Sequence, residues 1–291
     1  MDEFLAIDIG GTTLKYALVR ADGSIQPLGS LPTGAAMTRA ELAQSLHTIL
    51  NDPQTRSIRG IGISSLGIVD PQRGMVCAGV ENLPALQGFC PRSFFDEAGF
   101  AQPVCIVNDA SAAVLGEHWL GAAQGLDNFL CVAFGTGIGG GLVLNGRLWN
   151  GSSFCAGELG YWDYLDDRHY WELEDSAIAL IRKAQTQSGC PDLTGEAFFE
   201  RLRLQDPLCC DLFESWAQKA GRIFANITLL LDLQAILVGG GISAQKEILT
   251  PALQACMDRC LPPHFRGRCK VSSALLGNRA ALLGAVRPLL P

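Results

Sequence analysis

Three apolar segments of the chain end in glycine. They cover residues 4–9, 129–134 and 233–238, and the glycines that follow are Gly10, Gly135 and Gly239. A near-continuous apolar run that ends in glycine predicts a buried strand followed by a turn. Residues 14–20 and 138–144 are apolar again directly after the first two turns, which predicts a returning hairpin strand in each case.

Further strands and helices follow from the same pattern. Residues 58–64, 104–107 and 269–272 predict strands, and residues 65–71 predict a loop. Thr38 and Glu41 form a predicted capping box at the start of a helix with one apolar face. Apolar residues at helical spacing predict further helices over residues 176–186, 194–202 and 212–231.

The first and second apolar segments are related. Phe4 and Phe129 begin the same strand-turn-strand pattern 125 positions apart, and βα segments follow each copy. This duplication predicts an α/β chain of two halves with a cleft between them. We expect a first domain over residues 1–118, a larger second domain over residues 119–277, and a closing helix at residues 278–291 that packs on the first.

Composition narrows the class of protein. The chain has 291 residues, 48% hydrophobic and 18% charged, which is typical of a compact soluble protein. Its net charge of -7 and the absence of a basic run argue against a nucleic-acid partner. Neither a signal peptide nor an apolar run near membrane length is present, so we expect no membrane association and a cytoplasmic location.

The eleven cysteines predict reduced thiols, because they lie within apolar segments rather than in a spaced framework. The nearest approach to metal-ligand spacing is Cys209-Cys210 and Cys256 with Cys260. Neither has a second pair at zinc-site distance, so no zinc site is expected.

Several polar residues stand at the predicted strand ends. Asp8 precedes Gly10-Gly11-Thr12-Thr13, a turn whose N–H groups and hydroxyls suit a phosphate, although an ordinary glycine hairpin is the alternative. Asp109 either caps the next helix, which the residues alone favour, or acts as a catalytic group at the sheet edge. Asn82 can present its amide to a polar ligand. Trp162 and Trp171 either bind a sugar or pack a loop.

With these motifs together, the sequence resembles the ROK family of sugar kinases in the actin-like ATPase superfamily. The first phosphate motif would be Asp8-Ile9-Gly10-Gly11-Thr12, and the second Gly135-Thr136-Gly137-Ile138-Gly139-Gly140-Gly141. Val238-Gly239-Gly240-Gly241 resembles the adenosine motif, and Asn108-Asp109 the catalytic strand end. The resemblance implies two actin-like domains, ATP and Mg²⁺ as cofactors, a sugar substrate and a homodimer.

The resemblance also implies residue roles. Asp109 would be the base that accepts the proton of the sugar hydroxyl, and Asp8 would place Mg²⁺ through water. Sugar contacts would come from Gly67, Asn82, Asn108, Glu158 and Glu172. ATP contacts would come from Gly10, Gly11, Thr12, Thr13, Gly135, Thr136, Gly137, Gly139, Gly239, Gly240 and Gly241. Because Ala133 stands where the first copy has Asp8, at most the first turn positions the metal.

Two departures from the family pattern matter. Many members have a histidine where this chain has Tyr161, followed by a Cys-x-Cys-Gly-x-x-Gly-Cys zinc segment that is missing here. We therefore expect a zinc-free member that resembles N-acetylmannosamine or β-glucoside kinases and phosphorylates the 6-hydroxyl of a hexose or N-acetylhexosamine.

Two alternative functions remain. One is a sugar-responsive transcription regulator, which would carry an extra N-terminal helix-turn-helix, whereas the first strand here begins at Phe4. The other is a catalytically silent sugar-binding protein in which the change to Tyr161 has removed activity. Retention of Asp8, Asp109 and both phosphate turns argues against the silent protein.

Overall fold

A computed structural model describes residues 2–290 of the chain. Its strands are β1 Glu3–Ile9, β2 Thr13–Arg20, β3 Ile25–Pro32, β4 Ile61–Ser65, β5 Ile68–Asp70, β6 Met75–Ala78, β7 Val104–Asn108, β8 Phe129–Phe134, β9 Ile138–Leu144, β10 Arg147–Trp149, β11 Ala235–Gly239 and β12 Lys270–Ser273. Its α-helices are α1 Arg39–Leu50, α2 Pro91–Glu97, α3 Asp109–Leu120, α4 Trp171–Asp175, α5 Ala177–Ser188, α6 Gly195–Arg203, α7 Pro207–Leu231, α8 Lys246–Cys260 and α9 Ala280–Val286.

The chain divides into two compact units. The first comprises Met1–Gln124, Asn150–Cys155 and Asn278–Pro291, and the second comprises Gly125–Trp149 and Ala156–Gly277. Each contains a five-stranded sheet, in the order β3-β2-β1-β4-β7 and β10-β9-β8-β11-β12. In both sheets the first three strands pair antiparallel and the last three pair parallel. The predicted α/β fold with a duplicated sheet is therefore confirmed.

Each sheet is buried by helices of its own unit. In the first unit, Leu5, Ile7 and Ile9 of β1 are fully buried and share a core with apolar residues of α1. The capping box that the sequence predicts at Thr38 is present, with the Glu41 carboxylate accepting the Thr38 N–H at 2.8 Å. The capping box read from the sequence therefore predicts the start of α1 correctly.

Aromatic rings fill the core of the second unit. Trp171 is completely buried and meets Phe134 and Phe224 edge-on, at centroid distances of 5.6 Å and 6.4 Å. Trp162 is half-buried and packs against the same core. Of the two alternatives for these tryptophans, loop and core packing is therefore the correct one for Trp171.

The last helix belongs to the first unit. In α9, Gly284 and five other residues are buried. The Cys105 thiol of β7 donates to the Ala285 carbonyl of this helix at 3.3 Å. The expected domain boundary between residues 118 and 119 is wrong in detail, because it falls inside α3, which continues to Leu120. The two units instead divide after Gln124.

Some elements differ from the predictions. Residues 65–71 are not entirely loop, because Ile68–Asp70 forms β5 and pairs with β6. The Asp70 carboxylate closes the following turn by accepting the N–H groups of Gln72 and Arg73 at 2.9 Å and 3.0 Å. The outermost strands β3 and β10 and the short helix α2 are additional, and β3 contains prolines and few buried residues, which explains its weak signal.

None of the helices between residues 2 and 290 is both long enough and apolar enough to cross a membrane.

Helix α4 is held by a charge network around one buried carboxylate. Its Asp175 carboxylate, whose side chain is 8% exposed, pairs with Lys183 at 3.0 Å and Lys219 at 2.9 Å. Lys219 also pairs with Glu174 at 2.6 Å, and the Trp216 indole N–H donates to the Asp175 carbonyl at 2.7 Å. Two helices of the second unit, α5 and α7, therefore fix this short helix.

We predict that Asp175→Ala lowers the free energy of unfolding by about 2 kcal/mol, because it removes the buried carboxylate that pairs with both Lys183 and Lys219. Urea denaturation followed by tryptophan fluorescence measures this change. The control is Asp211→Ala, an exposed carboxylate of α7, with an expected effect below about 0.5 kcal/mol. Equal effects of the two substitutions would contradict a stabilising role for the network.

Candidate active site

In the first unit, the parallel strands bring the predicted catalytic residues to one edge of the sheet. Asp8 of β1 lies opposite Ser64 of β4, and Ser65 of β4 lies opposite Asn108 of β7. Adjacent strands are about 4.8 Å apart, so two strand spacings separate β1 from β7. Asp8 and Asp109 thus stand near the carboxyl ends of their strands, where α/β folds bind ligands.

Asp8 is held by a residue that the sequence analysis missed. The hydroxyl of Ser64, which is fully buried, donates to Asp8 Oδ1 at 2.7 Å. Burial raises the pKa of Asp8, and the Ser64 hydrogen bond and the nearby Lys15 charge oppose that shift. A signal for Ser64 did exist, since Ser64-Ser65 is a polar pair at the end of an otherwise apolar strand.

Asp109 is the first residue of α3. Its Oδ1 accepts the Ala110 N–H at 2.7 Å and the Asn108 amide at 3.1 Å. The side chain has an exposed surface, yet the surrounding protein restricts its solvation enough to raise its pKa, and the Asp8 carboxylate raises it further. A carboxylate in this setting accepts a proton more readily than an ordinary aspartate does.

The helix cap belongs to Asn108. Its Oδ1 accepts the Ser111 N–H at 3.1 Å, so the interpretation of Asp109 as the cap is wrong. Asn108 is the N-cap because its backbone angles are extended, as an N-cap requires, whereas Asp109 is already the first residue of the helix. The Asn108 amide also donates to the Gly67 carbonyl at 3.0 Å, which ties the end of β7 to the loop before β5.

The Gly67 loop needs glycine. Gly67 has φ +90°, and a Cβ there would lie 2.6 Å from the Ala78 carbonyl oxygen. The loop is thus kept in place by close backbone packing on one side and by Asn108 on the other.

The first glycine turn is closed by backbone and threonine contacts. Gly10 N–H donates to the Thr13 carbonyl at 3.0 Å, and the Thr33 hydroxyl donates to the Gly10 carbonyl at 2.6 Å. Thr12 and Asn82 are both exposed. Asn82 lies close to the turn, because a Cβ added to Gly11 would be 3.2 Å from the Asn82 Cβ. The first unit therefore brings Asn82, the glycine turn, Asp8 and Asp109 to one region.

In the second unit, the corresponding turn lies between β8 and β9. Gly135 N–H donates to the Gly137 carbonyl at 2.9 Å, and Thr136 is exposed. Ala133 is exposed at the position that Asp8 occupies in the first copy. The second turn therefore offers backbone groups and a hydroxyl, without a carboxylate of its own.

The third glycine run ends β11. Gly240 has φ +81°, and a Cβ on it would collide with the Phe134 carbonyl group, so only glycine fits between the two strand ends. Gly239 is the last residue of β11, and Gly241 begins the short 3₁₀ helix Gly241–Gln245.

A cavity of about 960 Å³ lies within the second unit. Gly135 and Thr136 border it on one side and Gly241 and Ile242 on another, so two of the three glycine edges meet there. Its remaining lining is partly apolar and partly polar, with Ala177, Ile178, Leu180, Ile181, Leu193, Gly195, Phe199 and Ala244 beside Arg182, Gln185, Asp192, Thr194, Glu196 and Gln245. A chamber of this size with a few polar groups suits a nucleoside.

The two predicted sugar carboxylates of this unit have different surroundings. Glu158 is exposed and precedes the 3₁₀ turn Leu159–Tyr161. Glu172 Oε2 accepts the Ile138 N–H at 2.7 Å, so one of its oxygens is bound to the backbone of the second glycine turn.

Three tyrosines stack beside the Glu158 segment. Tyr170 lies nearly parallel to Tyr161 at 5.1 Å and to Tyr164 at 6.0 Å, with interplanar angles of 28° and 29°. Tyr161 is 58% exposed and Tyr164 52% exposed. These rings hold together the segment in which the resemblance would have placed zinc-binding cysteines.

The described residues, 2–290, contain no group of three or more His, Cys, Asp or Glu side chains that could hold a metal ion. All eleven cysteines are free thiols. Burial raises the pKa of Cys209 to about 11, which disfavours the thiolate that a metal would require.

Comparison with known proteins identifies the class of protein. The model of the ROK family matches residues 4–288. A β-glucoside kinase of Listeria innocua is 32% identical over 292 residues, which covers 97% of this chain and 95% of the relative. The chain belongs to the ROK family, as the resemblance predicts.

Solved structures agree with this assignment. A Listeria monocytogenes protein described as a candidate N-acetylmannosamine kinase superposes with a TM-score of 0.83 at 29% identity, over 98% of this chain and 97% of that one. A Streptomyces griseus ROK family glucokinase in complex with glucose and AMPPNP has a TM-score of 0.79 at 27% identity, over 99% of both chains.

We predict that Ser64→Ala raises the pKa of Asp8 further, because the hydrogen bond that it removes stabilises the carboxylate form. NMR titration of ¹³C-labelled aspartate carboxyls measures this shift. Ser65→Ala is the matched control, since the Ser65 hydroxyl donates instead to the Leu66 carbonyl and should leave the Asp8 titration unchanged. A lower or unchanged pKa in Ser64→Ala would show that the hydroxyl does not act on Asp8.

Proposed function

We propose that this protein transfers the γ-phosphoryl group of ATP to the 6-hydroxyl of a hexose or N-acetylhexosamine. The β-glucoside kinase and the glucokinase to which the chain is similar support the phosphotransferase class. The observation that carries the ATP assignment is the 960 Å³ cavity, bordered by the glycine edges at Gly135 and Gly241. Phosphoryl transfer mainly requires positioning and charge neutralisation, which such turns provide.

Asp109 is the proposed base. As the sugar oxygen attacks the γ-phosphorus, the bond from that phosphorus to the bridging oxygen breaks and ADP leaves. The hydrogen of the sugar hydroxyl moves to the Asp109 carboxylate, which therefore has to be unprotonated beforehand. The raised pKa makes this carboxylate a better proton acceptor, while the hydrogen bonds from Ala110 and Asn108 keep it oriented.

Asp8 fits the Mg²⁺ that such a reaction needs. Magnesium binds oxygen ligands, often one or two carboxylates, and Asp8 stands two residues before the first glycine turn at the end of β1. Ser64 donates to one carboxylate oxygen and so fixes its direction. Magnesium would supply positive charge to the phosphate oxygens, and Asp8 would hold it directly or through water.

The nucleotide would be shared among the glycine turns. The nucleoside would lie in the cavity beside Gly241, with Gly239 and Gly240 shaping its edge. The phosphates would meet Gly135, Thr136, Gly137 and Gly139 of the same unit. In the first unit, Gly10, Gly11, Thr12 and Thr13 form the other proposed phosphate motif. Backbone N–H groups bind phosphate oxygens closely where no Cβ intervenes.

The proposed sugar contacts come from Asn82, Glu158 and the Gly67 loop. Asn108 would act largely by fixing Gly67 and Asp109, since its amide already contacts both. The hexose class is supported by the names of the relatives, which cover a β-glucoside kinase, an N-acetylmannosamine kinase candidate and a glucokinase with bound glucose. A homodimer remains an expectation from the family.

A coupled ADP-release assay tests this function. The panel comprises glucose, N-acetylmannosamine, N-acetylglucosamine, mannose, fructose, allose and cellobiose, and we expect at least one to stimulate ADP release. Asp109→Asn should lower kcat by about 100-fold or more, because general-base catalysis contributes about 10²–10⁴-fold.

The matched control is Asp96→Asn, which removes an exposed carboxylate of the same unit that pairs with Arg92 on its own helix. It should keep full activity. If none of the sugars stimulates ADP release, or if Asp109→Asn remains fully active, the assignment fails and the silent sugar-binding alternative gains support.

The proposed kinase should need magnesium for activity and should contain no zinc. We predict that elemental analysis finds less than about 0.1 zinc per chain in protein purified without chelator, because residues 2–290 contain no cluster of three or more His, Cys, Asp or Glu side chains that could hold the ion. EDTA should abolish activity and excess Mg²⁺ should restore it fully. One zinc per chain, or activity restored by zinc alone, would contradict this prediction.

A further inference from the structure

Three tyrosines of the second unit form an exposed aromatic surface. Tyr161, Tyr164 and Tyr170, here called the tyrosine cluster, have ring centres 5.1 Å, 6.0 Å and 6.3 Å apart, so the rings form a triangle. Tyr161 and Tyr164 are both more than half exposed. Single exposed aromatic residues are ordinary, but adjoining exposed rings with polar residues around them often mark a binding surface.

Backbone contacts place the tyrosine cluster beside both predicted sugar carboxylates of this unit. The Tyr161 N–H donates to the Glu158 carbonyl at 3.3 Å. Gly160, which precedes Tyr161, packs so closely on α4 that an added Cβ would lie 2.8 Å from Glu172 Oε2. Tyr170 lies two residues before Glu172. The cluster is therefore continuous with the two segments that carry Glu158 and Glu172.

The loop between the tyrosines is tied together by its own polar residues. The Tyr164 hydroxyl donates to Asp167 Oδ1 at 2.6 Å. The Asp166 carboxylate accepts the Arg168 N–H at 2.8 Å and lies 2.9 Å from His169 Nδ1. Aromatic rings that are already held in place lose little conformational freedom when a ligand binds. The cluster thus has the rigidity of a preformed binding surface.

The chemistry of this surface suits an uncharged ring that carries hydroxyl groups. Tyrosine ring faces cover the apolar C–H side of such a ligand, and phenol hydroxyls and carboxylates form hydrogen bonds with its hydroxyls. Asp163, Asp166 and Asp167 are all exposed in this loop, with Arg168 as its single arginine or lysine. Three carboxylates against one such cation disfavour a phosphate or another anion.

The position of the cluster distinguishes two kinds of sugar substrate. Glu158 and Glu172 are the predicted ligands of the ring that is phosphorylated, and the tyrosines lie on the residues next to them. A monosaccharide has no further group to place on these rings. A glycoside carries a second group at C1 and keeps its 6-hydroxyl free for phosphoryl transfer, so it can occupy both places.

We propose that the tyrosine cluster is a subsite for a second ring, so that the substrate is a glycoside whose C1 carries a second sugar or aryl ring. This inference rests on the proposed kinase function and narrows its substrate class. The exposed rings of Tyr161 and Tyr164 contact the second ring and set the preference for a glycoside over a monosaccharide. The ring that is phosphorylated is bound independently of them.

The test compares a disaccharide with methyl glucoside of the same anomer, which has a C1 substituent but no second ring. Calorimetry with Mg²⁺ and AMPPNP gives the dissociation constants, and the ADP-release assay gives KM. The disaccharide is whichever of cellobiose and maltose binds more tightly. The unmodified protein should bind it at least about fivefold more tightly than methyl glucoside, because the cluster adds contacts for the second ring.

Tyr164→Ala should raise Kd and KM for the disaccharide by about tenfold, which corresponds to about 1.4 kcal/mol. The same substitution should change both constants for methyl glucoside by less than about threefold. Tyr164→Phe keeps the ring and loses only the hydroxyl, so it should stay within about threefold of the unmodified protein for both ligands.

Two further variants complete the design. Trp149→Ala removes another aromatic side chain of the second unit that is more than half exposed, at the end of β10, and should leave both dissociation constants unchanged. Tyr161→Ala should reproduce the selective loss of disaccharide binding, so the proposal stays testable if Tyr164→Ala fails to fold.

The proposal is overturned if Tyr164→Ala weakens the binding of methyl glucoside as much as that of the disaccharide, which is the pattern of a purely structural role. It is also overturned if Tyr164→Phe binds the disaccharide as weakly as Tyr164→Ala, or if the unmodified protein binds both ligands equally. A change in oligomeric state on gel filtration, with both constants unchanged, would instead make the cluster a contact between chains and overturn the subsite.

The two proposals fail in different ways. If the protein phosphorylates glucose but binds neither disaccharide more tightly than methyl glucoside, the subsite fails and the kinase function stands. If Tyr164→Ala selectively weakens disaccharide binding but no sugar is phosphorylated, the kinase function fails and the subsite stands.

Discussion

The parallel pairing of β1, β4 and β7 is the constraint on which the candidate site depends. It places Ile9, Ser65 and Asn108 side by side, so that Asp8, Ser64 and Asp109 stand near one edge. Side chains alternate between the faces of a strand, and a shift of one residue would turn Asp8 away from its face. The buried Leu5, Ile7 and Ile9 of β1 oppose such a shift, because it would move them out of the core.

The second sheet repeats this architecture with different chemistry. Its strands have the same order, yet Ala133 replaces the aspartate, and the sheet edge opens into a cavity instead. In our account, the first unit supplies the carboxylates for the metal ion and for proton transfer. The second supplies a nucleoside cavity and a phosphate turn, and the Ile138 N–H at the end of this turn donates to the Glu172 carboxylate.

Much of this arrangement was predictable from the sequence, because strands that end in glycine and the 125-residue offset between Phe4 and Phe129 are local patterns. The contacts of Ser64 with Asp8 and of Glu172 with Ile138 were not, since they join residues far apart in sequence. The cap at Asn108 was missed because two adjacent polar residues compete for one position, and only the backbone angles decide between them. The edge strand β3 was missed because few of its side chains are buried.

The central claim is that the chain transfers phosphate to the primary hydroxyl of a sugar. The most direct measurement is phosphorus–proton correlation NMR of the product formed from ATP and the preferred sugar. Our account predicts one new phosphomonoester whose phosphorus couples to the two methylene protons at C6. Coupling to a ring CH proton, or the appearance of inorganic phosphate alone, would contradict it.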